Sequence, residues 1–308
     1  MGRSAPGFRG GARRVGFVAA VLAAGLLAMP GRLPAQAVRR RSAEASRVGA
    51  ARATPSTRPA PAAKAPTRRD PLAPGDDDTF RPTVVIRRGT SQGTGTIIAT
   101  ASDQTLVLTA AHVVREPGSI VIELHRYNIG LEHARGGAWP LIVPAEVVGV
   151  DTAADVAILR LRDPSPLPFV ARLFDGDSND LRTDTLVTSL GVDLGARLSS
   201  WNTKIVETTR LQLEGEDVER PFLITLKIPE HGRSGGGLFT EQGRLVGVCV
   251  GHAEMVKDRR MGVFASIASV RRLIREHDLE TLVDRSQARL APRPAPARED
   301  ATPSPHGL

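Results

Sequence analysis

An all-β fold of two barrels closed by one helix is what this sequence predicts. Three observations lead there. Short β-branched and aliphatic runs recur at close spacing with turn residues between them. A Pro- and Asp-rich connector from Pro164 to Asp184 divides them into two sets. One amphipathic helical stretch follows the last run.

The first set opens with Thr83 to Arg88, a β-branched run that stops at Gly89. Gly95 to Ala101 and Thr105 to Thr109 follow, separated by the polar turn Ser102-Asp103-Gln104. Ile120 to Leu124, Ala145 to Val150 and Val156 to Leu161 complete it. The second set comprises Thr185 to Leu190, Ser199 to Thr209, Phe222 to Lys227, Gly236 to Thr240, Leu245 to Val250 and Met261 to Ala265. In the stretch after them, Ile267, Val270, Leu273 and Ile274 share one helical face, and Ser266 stands where an N-cap belongs.

The core must be aliphatic. Of 308 residues, 41% are hydrophobic but only 4% aromatic, so Val, Leu, Ile and Ala fill the interior. One cysteine, Cys249, excludes an intrachain disulfide and sits in an apolar strand, where it reads as core. The net charge of +8 does not belong to the folded unit. Residues 1–79 hold 14 of the 41 basic and 5 of the 33 acidic residues, which leaves 80–308 at −1. A nucleic-acid-binding domain would carry its basic patch on the folded unit, so nucleic acid is not an expected partner.

The basic N-terminus reads as an export signal over 1–37. Arg3, Arg9, Arg13 and Arg14 form a positive region, Val15 to Met29 is apolar, and Ala35-Gln36-Ala37 is a small-x-small cleavage site. The apolar stretch falls short of the ~20 residues of a spanning helix, so no stable membrane span is expected after cleavage. Residues 38–79, rich in Ala, Pro, Arg, Ser and Thr, read as a disordered linker. A single folded domain is expected over 80–284, and 285–308 reads as a second disordered tail. The protein is thus expected outside the cytoplasm, periplasmic or extracellular.

Three segments carry chemistry. Leu106-Val107-Leu108-Thr109-Ala110-Ala111-His112 runs an apolar strand through small residues into a histidine; alone, such a histidine is more often structural. Asp155 stands immediately before the apolar run Val156 to Leu161. A carboxylate buried there needs a partner, and a histidine N–H is one. Asp151, just before Thr152, fits a turn cap better. The third segment is His231-Gly232-Arg233-Ser234-Gly235-Gly236-Gly237. Glycines on both sides let the backbone turn sharply and aim the Gly232 and Ser234 amides, with that of Arg233, at one developing oxyanion. Gly232-x-Ser234-x-Gly236 also fits the nucleophile elbow of α/β-hydrolases, but that fold places a helix after the serine. Here Leu238 opens a strand, Gly243 marks a turn and another strand follows.

The order His112, Asp155, Ser234 and its surrounding motifs, from about 80 to 280, resemble the trypsin-like peptidases, in particular the bacterial HtrA-like branch. The matching stretches are Gly93-Thr94-Gly95-Thr96-Ile97-Ile98, Thr109 to Val114, Asp151 to Leu159, Gly232 to Gly236, Gly243 to Val248, and the helix after Phe264. The resemblance implies a double six-stranded β-barrel of the chymotrypsin type with the site in the cleft between perpendicular barrels. It also places Ile228 and the strand residues Val250, Gly251 and His252 along the substrate cleft. Two departures stand out: Arg233 replaces the usual Asn before the serine, and Gly237 the usual Pro after the two glycines. Arg233 is expected to lend only its backbone to the turn, or to pair with an acid such as Glu230. The run Lys227 to His231 also differs from the family, so side-chain specificity does not transfer. Too little sequence follows the helix for the PDZ domain common in that branch.

The expected activity is that of a secreted serine endopeptidase acting on polypeptides through an acyl-enzyme, with no metal or cofactor. The other histidines, His125, His133, His231, His252, His277 and His306, lack metal-ligand spacing. An oligomer is compatible with the sequence. The alternative is a non-catalytic, protease-fold binding or scaffold module.

Overall fold

The computed structural model describes residues 76–290, apart from 102–103, 162–165, 178–179, 195–196 and 255–258. The expected export signal, the linker up to residue 75 and the tail from residue 291 lie outside the described residues. Residues 76–79, expected in the disordered linker, instead form a turn in which the Asp78 and Thr79 N–H groups donate to Asp76 Oδ1 at 3.1 and 2.9 Å and Thr79 is buried, which corrects the linker's end.

Six strands close the first barrel in the order β1-β2-β3-β6-β5-β4. They are β1 (Thr83–Arg88), β2 (Ser91–Thr100), β3 (Thr105–Thr109), β4 (Ile120–Leu124), β5 (Leu141–Asp151) and β6 (Val156–Leu161). Side chains alternate across each strand. Val84, Ile86, Ile97, Val107, Ile122 and Leu159 fill the barrel. Their neighbours Ile98, Leu106, Leu108, Val156 and Ile158 point the other way, into a core shared with the second strand set and the C-terminal helix. Strands β3 and β6 are therefore buried on both faces, which is why Leu106–Leu108 and Val156–Leu159 read as continuous apolar runs. β3 pairs with β6 antiparallel, Val107 opposite Leu159 and Leu108 opposite Ile158.

The second set holds β8 (Leu186–Asp193), β9 (Arg197–Leu211), β10 (Arg220–Thr225), β11 (Gly237–Thr240), β12 (Arg244–Glu254) and β13 (Arg260–Ser266). Their order is β11-β8-β9-β10-β13-β12, and β11 pairs back onto β12, which closes the circuit. Val187, Trp201, Ile205, Leu223, Leu238, Val246, Cys249 and Phe264 pack together, with Trp201 edge-on to Phe264. Phe222, Phe239 and Phe264 are wholly buried, each contributing about 2–3 kcal/mol of transfer energy. The connector, read as lacking periodicity, supplies a two-residue strand, β7 (Arg172–Leu173), parallel to the start of β12. Two residues are too few to show a period.

Helix α1 (Ile267–Glu276) begins as expected: Ser266 Oγ accepts the Ala268 N–H at 3.2 Å, and Ile267, Val270, Leu273 and Ile274 face the shared core. A second helix, α2 (Glu280–Leu290), follows and corrects the expected tail boundary, since it runs six residues past 284. Polar groups dock much of it. Ser286 Oγ accepts the Thr100 N–H at 3.0 Å, and Gln287 donates to Ile98 O and Ala171 O, both at 3.0 Å. Only Val283 and Ser286 of this helix are buried, so no apolar stripe announced it. No helix among the described residues is long and apolar enough to cross a membrane.

Candidate active site

His112 leaves the end of β3 in a 3₁₀ turn, Ala111–Val114. Ala110 and Ala111 are buried, and their small side chains let the chain turn against the core while the His112 ring stays partly exposed. Asp155 closes the tight turn between β5 and β6; its N–H donates to Thr152 O at 3.1 Å. Its φ of 54° lies in the left-handed region, a conformation costing on the order of 1 kcal/mol that Asp tolerates better than most residues. What holds it there is His112. The His112 backbone N–H donates to Asp155 Oδ1 at 2.8 Å, and His112 Nδ1 lies 2.6 Å from Oδ2. The Ala111 N–H donates to Asp155 O at 3.1 Å. A carboxylate 5% exposed is thus partnered at both oxygens.

Asp151 is not a simple turn cap. Its Oδ1 does accept the Ala154 N–H at 3.2 Å, but Oδ2 lies 3.0 Å from Arg220 Nε and 3.5 Å from Arg272 Nη2. It faces β10 and α1 rather than His112.

Ser234 rides on a turn of the second barrel pressed against the first. The Thr94 N–H donates to Ser234 O at 2.8 Å, and Thr94 Oγ1 donates to Gly232 O at 2.8 Å. Gly235, at φ 85°, packs where any Cβ would overlap Thr94 O and Thr109 Oγ1 and lie 2.9 Å from Ala110 N. The residue after Ser234 is therefore in contact with the strand end that delivers His112. No hydrogen bond joins Ser234 Oγ to the His112 ring among the described residues; such bonds often tighten only with substrate in place. Thr94 was quoted in the sequence only as part of a motif, and no pattern marked it as the residue that joins the two barrels at this point.

Among the described residues no backbone carbonyl accepts the Gly232 or Ser234 N–H. The Arg233 N–H, grouped with them in the sequence reading, donates to Glu230 O at 3.3 Å and is occupied within the turn. The Arg233 side chain corrects a second expectation. It is 0% exposed and pairs with Asp193, not Glu230: Nε to Oδ1 and Nη2 to Oδ2 are both 2.7 Å.

The cleft residues divide. Ile228 is exposed in the segment after β10. Val250 is buried at a bulge where the β12–β13 register shifts, so its side chain belongs to the core and only its backbone is available. Gly251, at φ 146°, and His252 are partly exposed. Burial, helped by Arg260 and His231, lowers the His252 pKa against an opposing pull from Glu254. β11 pairs with β12 only as far as Val248, so beyond the bulge β12 is paired on its β13 side alone among the described strands. A cavity of about 220 Å³ opens beside His112 and Asp155, between Thr152 and the hairpin tip Leu213, Glu214 and Glu216.

Residues 93–248 match the family model described as "Trypsin-like peptidase domain". The chain is 34% identical over 158 residues to a probable periplasmic serine endoprotease DegP-like of Halomonas elongata, covering 51% of this chain and 29% of that one. It is 29% identical over 161 residues to the serine protease Do-like HtrA of Bacillus subtilis, covering 51% and 32%. The chain thus spans about a third of the length of these curated relatives. Among solved structures, the active form of the Rv3671c protease from M. tuberculosis superposes with a TM-score of 0.51 at 25% identity, covering 70% of this chain and 94% of that one.

Proposed function

The chain belongs to the trypsin-like peptidase family, with its relatives in the HtrA branch, and from that premise we propose that it is an exported serine endopeptidase whose catalytic residues are His112, Asp155 and Ser234. One observation carries the reading: Asp155 holds His112 by backbone and ring at once, on the strand end against which the Ser234 turn is packed.

In this reading Asp155 accepts the Nδ1–H and leaves Nε2 of His112 as the base. Nε2 takes the proton of Ser234 Oγ as that oxygen attacks a peptide carbonyl. The Gly232 and Ser234 N–H groups stabilise the resulting oxyanion. His112 then returns the proton to the leaving amine, and water hydrolyses the acyl-enzyme. The singly paired stretch of β12 from Val250 to Glu254 receives the substrate backbone as an added strand. The cavity beside His112 receives a neighbouring substrate side chain. Residues 1–37 direct export and the segment from 38 tethers the folded domain; the periplasmic location in several relatives' names agrees with this.

A fluorophosphonate probe tests the reading. It should label the wild-type protein and fail to label Ser234→Ala, whose melting temperature should change little. An unlabelled wild type would leave a non-catalytic protease-fold module as the better description.

A further inference from the structure

We propose that the ion pair between the buried Arg233 and the partly exposed Asp193 fixes the turn from His231 to Ser234 in its reactive form, making Asp193 a positioning residue for the reaction. This rests on the serine-peptidase reading.

Arg233 immediately precedes the nucleophile and is among the largest fully buried side chains among the described residues. Burying a guanidinium is costly unless its donors are matched. Here they are. Nε and Nη2 form a two-point fork on the Asp193 carboxylate, each at 2.7 Å. Nη1 donates to Ser189 O at 3.0 Å and to Ser189 Oγ at 3.2 Å. Nη2 also reaches Ser199 O at 3.4 Å and Ser199 Oγ. The guanidinium carbon stands 4.9 Å from the Trp201 ring centre. All of these partners lie on β8 and β9. Gly191 of β8 leaves room for the Arg233 stem, since a Cβ there would lie 2.7 Å from Arg233 Cγ.

The end of β8 grips the turn a second time. The Leu194 N–H, next to Asp193, donates to His231 O at 2.6 Å. In a trans peptide the N–H points opposite to the carbonyl. Holding His231 O therefore turns the Gly232 N–H the other way. Likewise the Gly236 N–H, 2.9 Å from Arg233 O, orients the Ser234 N–H. The two amides assigned to the oxyanion thus belong to peptide planes whose carbonyls are tied down, and the Arg233 side chain anchors the residue between them. Leu194 sits at φ 49° and 72% exposed, a strained conformation for Leu that persists where surrounding contacts dictate it.

The test uses Asp193→Asn and, because a lone buried guanidinium endangers folding, the charge-free double variant Arg233→Met with Asp193→Asn. Phosphonylation run to completion counts competent sites, while its rate constant per site reports how well the oxyanion is held. Hydrogen exchange over residues 230–236 reports the turn directly. Expected is a per-site rate constant about 10²-fold below wild type, a full count of sites, and faster exchange in 230–236 but not in β3 or β6. A wild-type rate constant in the double variant overturns the proposal. So does a reduced count of sites at an unchanged rate constant, which is what mere destabilisation produces. A wild type as unreactive as Ser234→Ala would instead sink the peptidase reading itself, and this inference with it.

Discussion

Asp155 holds His112 with both carboxylate oxygens, Oδ1 on the backbone N–H at 2.8 Å and Oδ2 against Nδ1 at 2.6 Å. The two contacts do different work. The first fixes where the chain carries the ring; the second fixes which ring nitrogen holds the proton. Asp155→Asn can keep the first through its carbonyl oxygen but sets an NH₂ group against Nδ1, which favours the tautomer with its proton on Nε2. The expected result is a kcat about 10⁴-fold lower with a nearly unchanged melting temperature. Ester hydrolysis measured beside thermal unfolding checks it.

Gly235 offers a steric test of the contact between the barrels. Gly235→Ala demands φ 85° of an alanine and drives its Cβ into Thr94 O and Thr109 Oγ1. The turn bearing Ser234 must then move off the strand end bearing His112. Expected is a loss of at least about 10²-fold in labelling rate, since small misplacements in a site of this kind cost that much. Gly136→Ala is the control. It has a similar φ of 80° but nothing within 4 Å, so it should cost about 1 kcal/mol of stability and leave labelling alone.

The strand pattern and the chain order of His112, Asp155 and Ser234 were legible because each rests on local chemistry. Leu106-Val107-Leu108 is apolar on both faces because one face fills a barrel and the other the shared core. Ser266 and the stripe from Ile267 to Ile274 announced α1 for the same reason. What escaped depends on partners remote in sequence. Helix α2 docks through Ser286 and Gln287, polar residues with no period to read. Arg233 finds its acid at Asp193, forty positions upstream, whereas the sequence offered the nearby Glu230. Val250 looked like a cleft residue until the bulge in β12 turned it inward.

Cys249 carries a pH prediction. Burial pushes its thiol up to about 12, with Asp155 and Asp193 adding to the rise and Arg233 opposing it. The folded state thus keeps its proton where the unfolded thiol has lost it. That contribution to stability is whole below the ordinary thiol value and drains away as pH climbs towards about 12. Native protein at pH ~8 should resist iodoacetamide and react only on unfolding. Cys249→Ala should keep its labelling by the fluorophosphonate, because the hydrogen bonds that hold Gly235 and Gly236 of the serine turn come from the Cys249 backbone, which the substitution keeps. Its stability should also fall less than that of wild type above pH ~9. Rapid alkylation of the folded protein would contradict the burial.

Asp151 separates the two aspartates of the same turn. Its side chain is 4% exposed and Arg220's is 12%, so the pair is sheltered from screening, and Arg272 of α1 joins it from the rim. It therefore ties the turn that carries Asp155 to the second barrel and the C-terminal helix. Replacing it with Asn leaves Arg220 without its counter-charge, a loss of about 3 kcal/mol that lowers the melting temperature by roughly 6–12 °C for a domain of this size. Asp155 keeps its grip on His112 meanwhile, so labelling per competent site should stay within about threefold of wild type, the scale of a sub-kcal/mol change. Pairing Asp151→Asn with Arg220→Met removes both charges, and the double variant should lose less than the two single losses together, with a coupling of about 1–3 kcal/mol. Thermal unfolding and labelling rates on the same four proteins read both quantities. If Asp151→Asn instead kept its melting temperature and lost activity as steeply as Asp155→Asn, the carboxylate serving His112 would have been assigned to the wrong end of the turn.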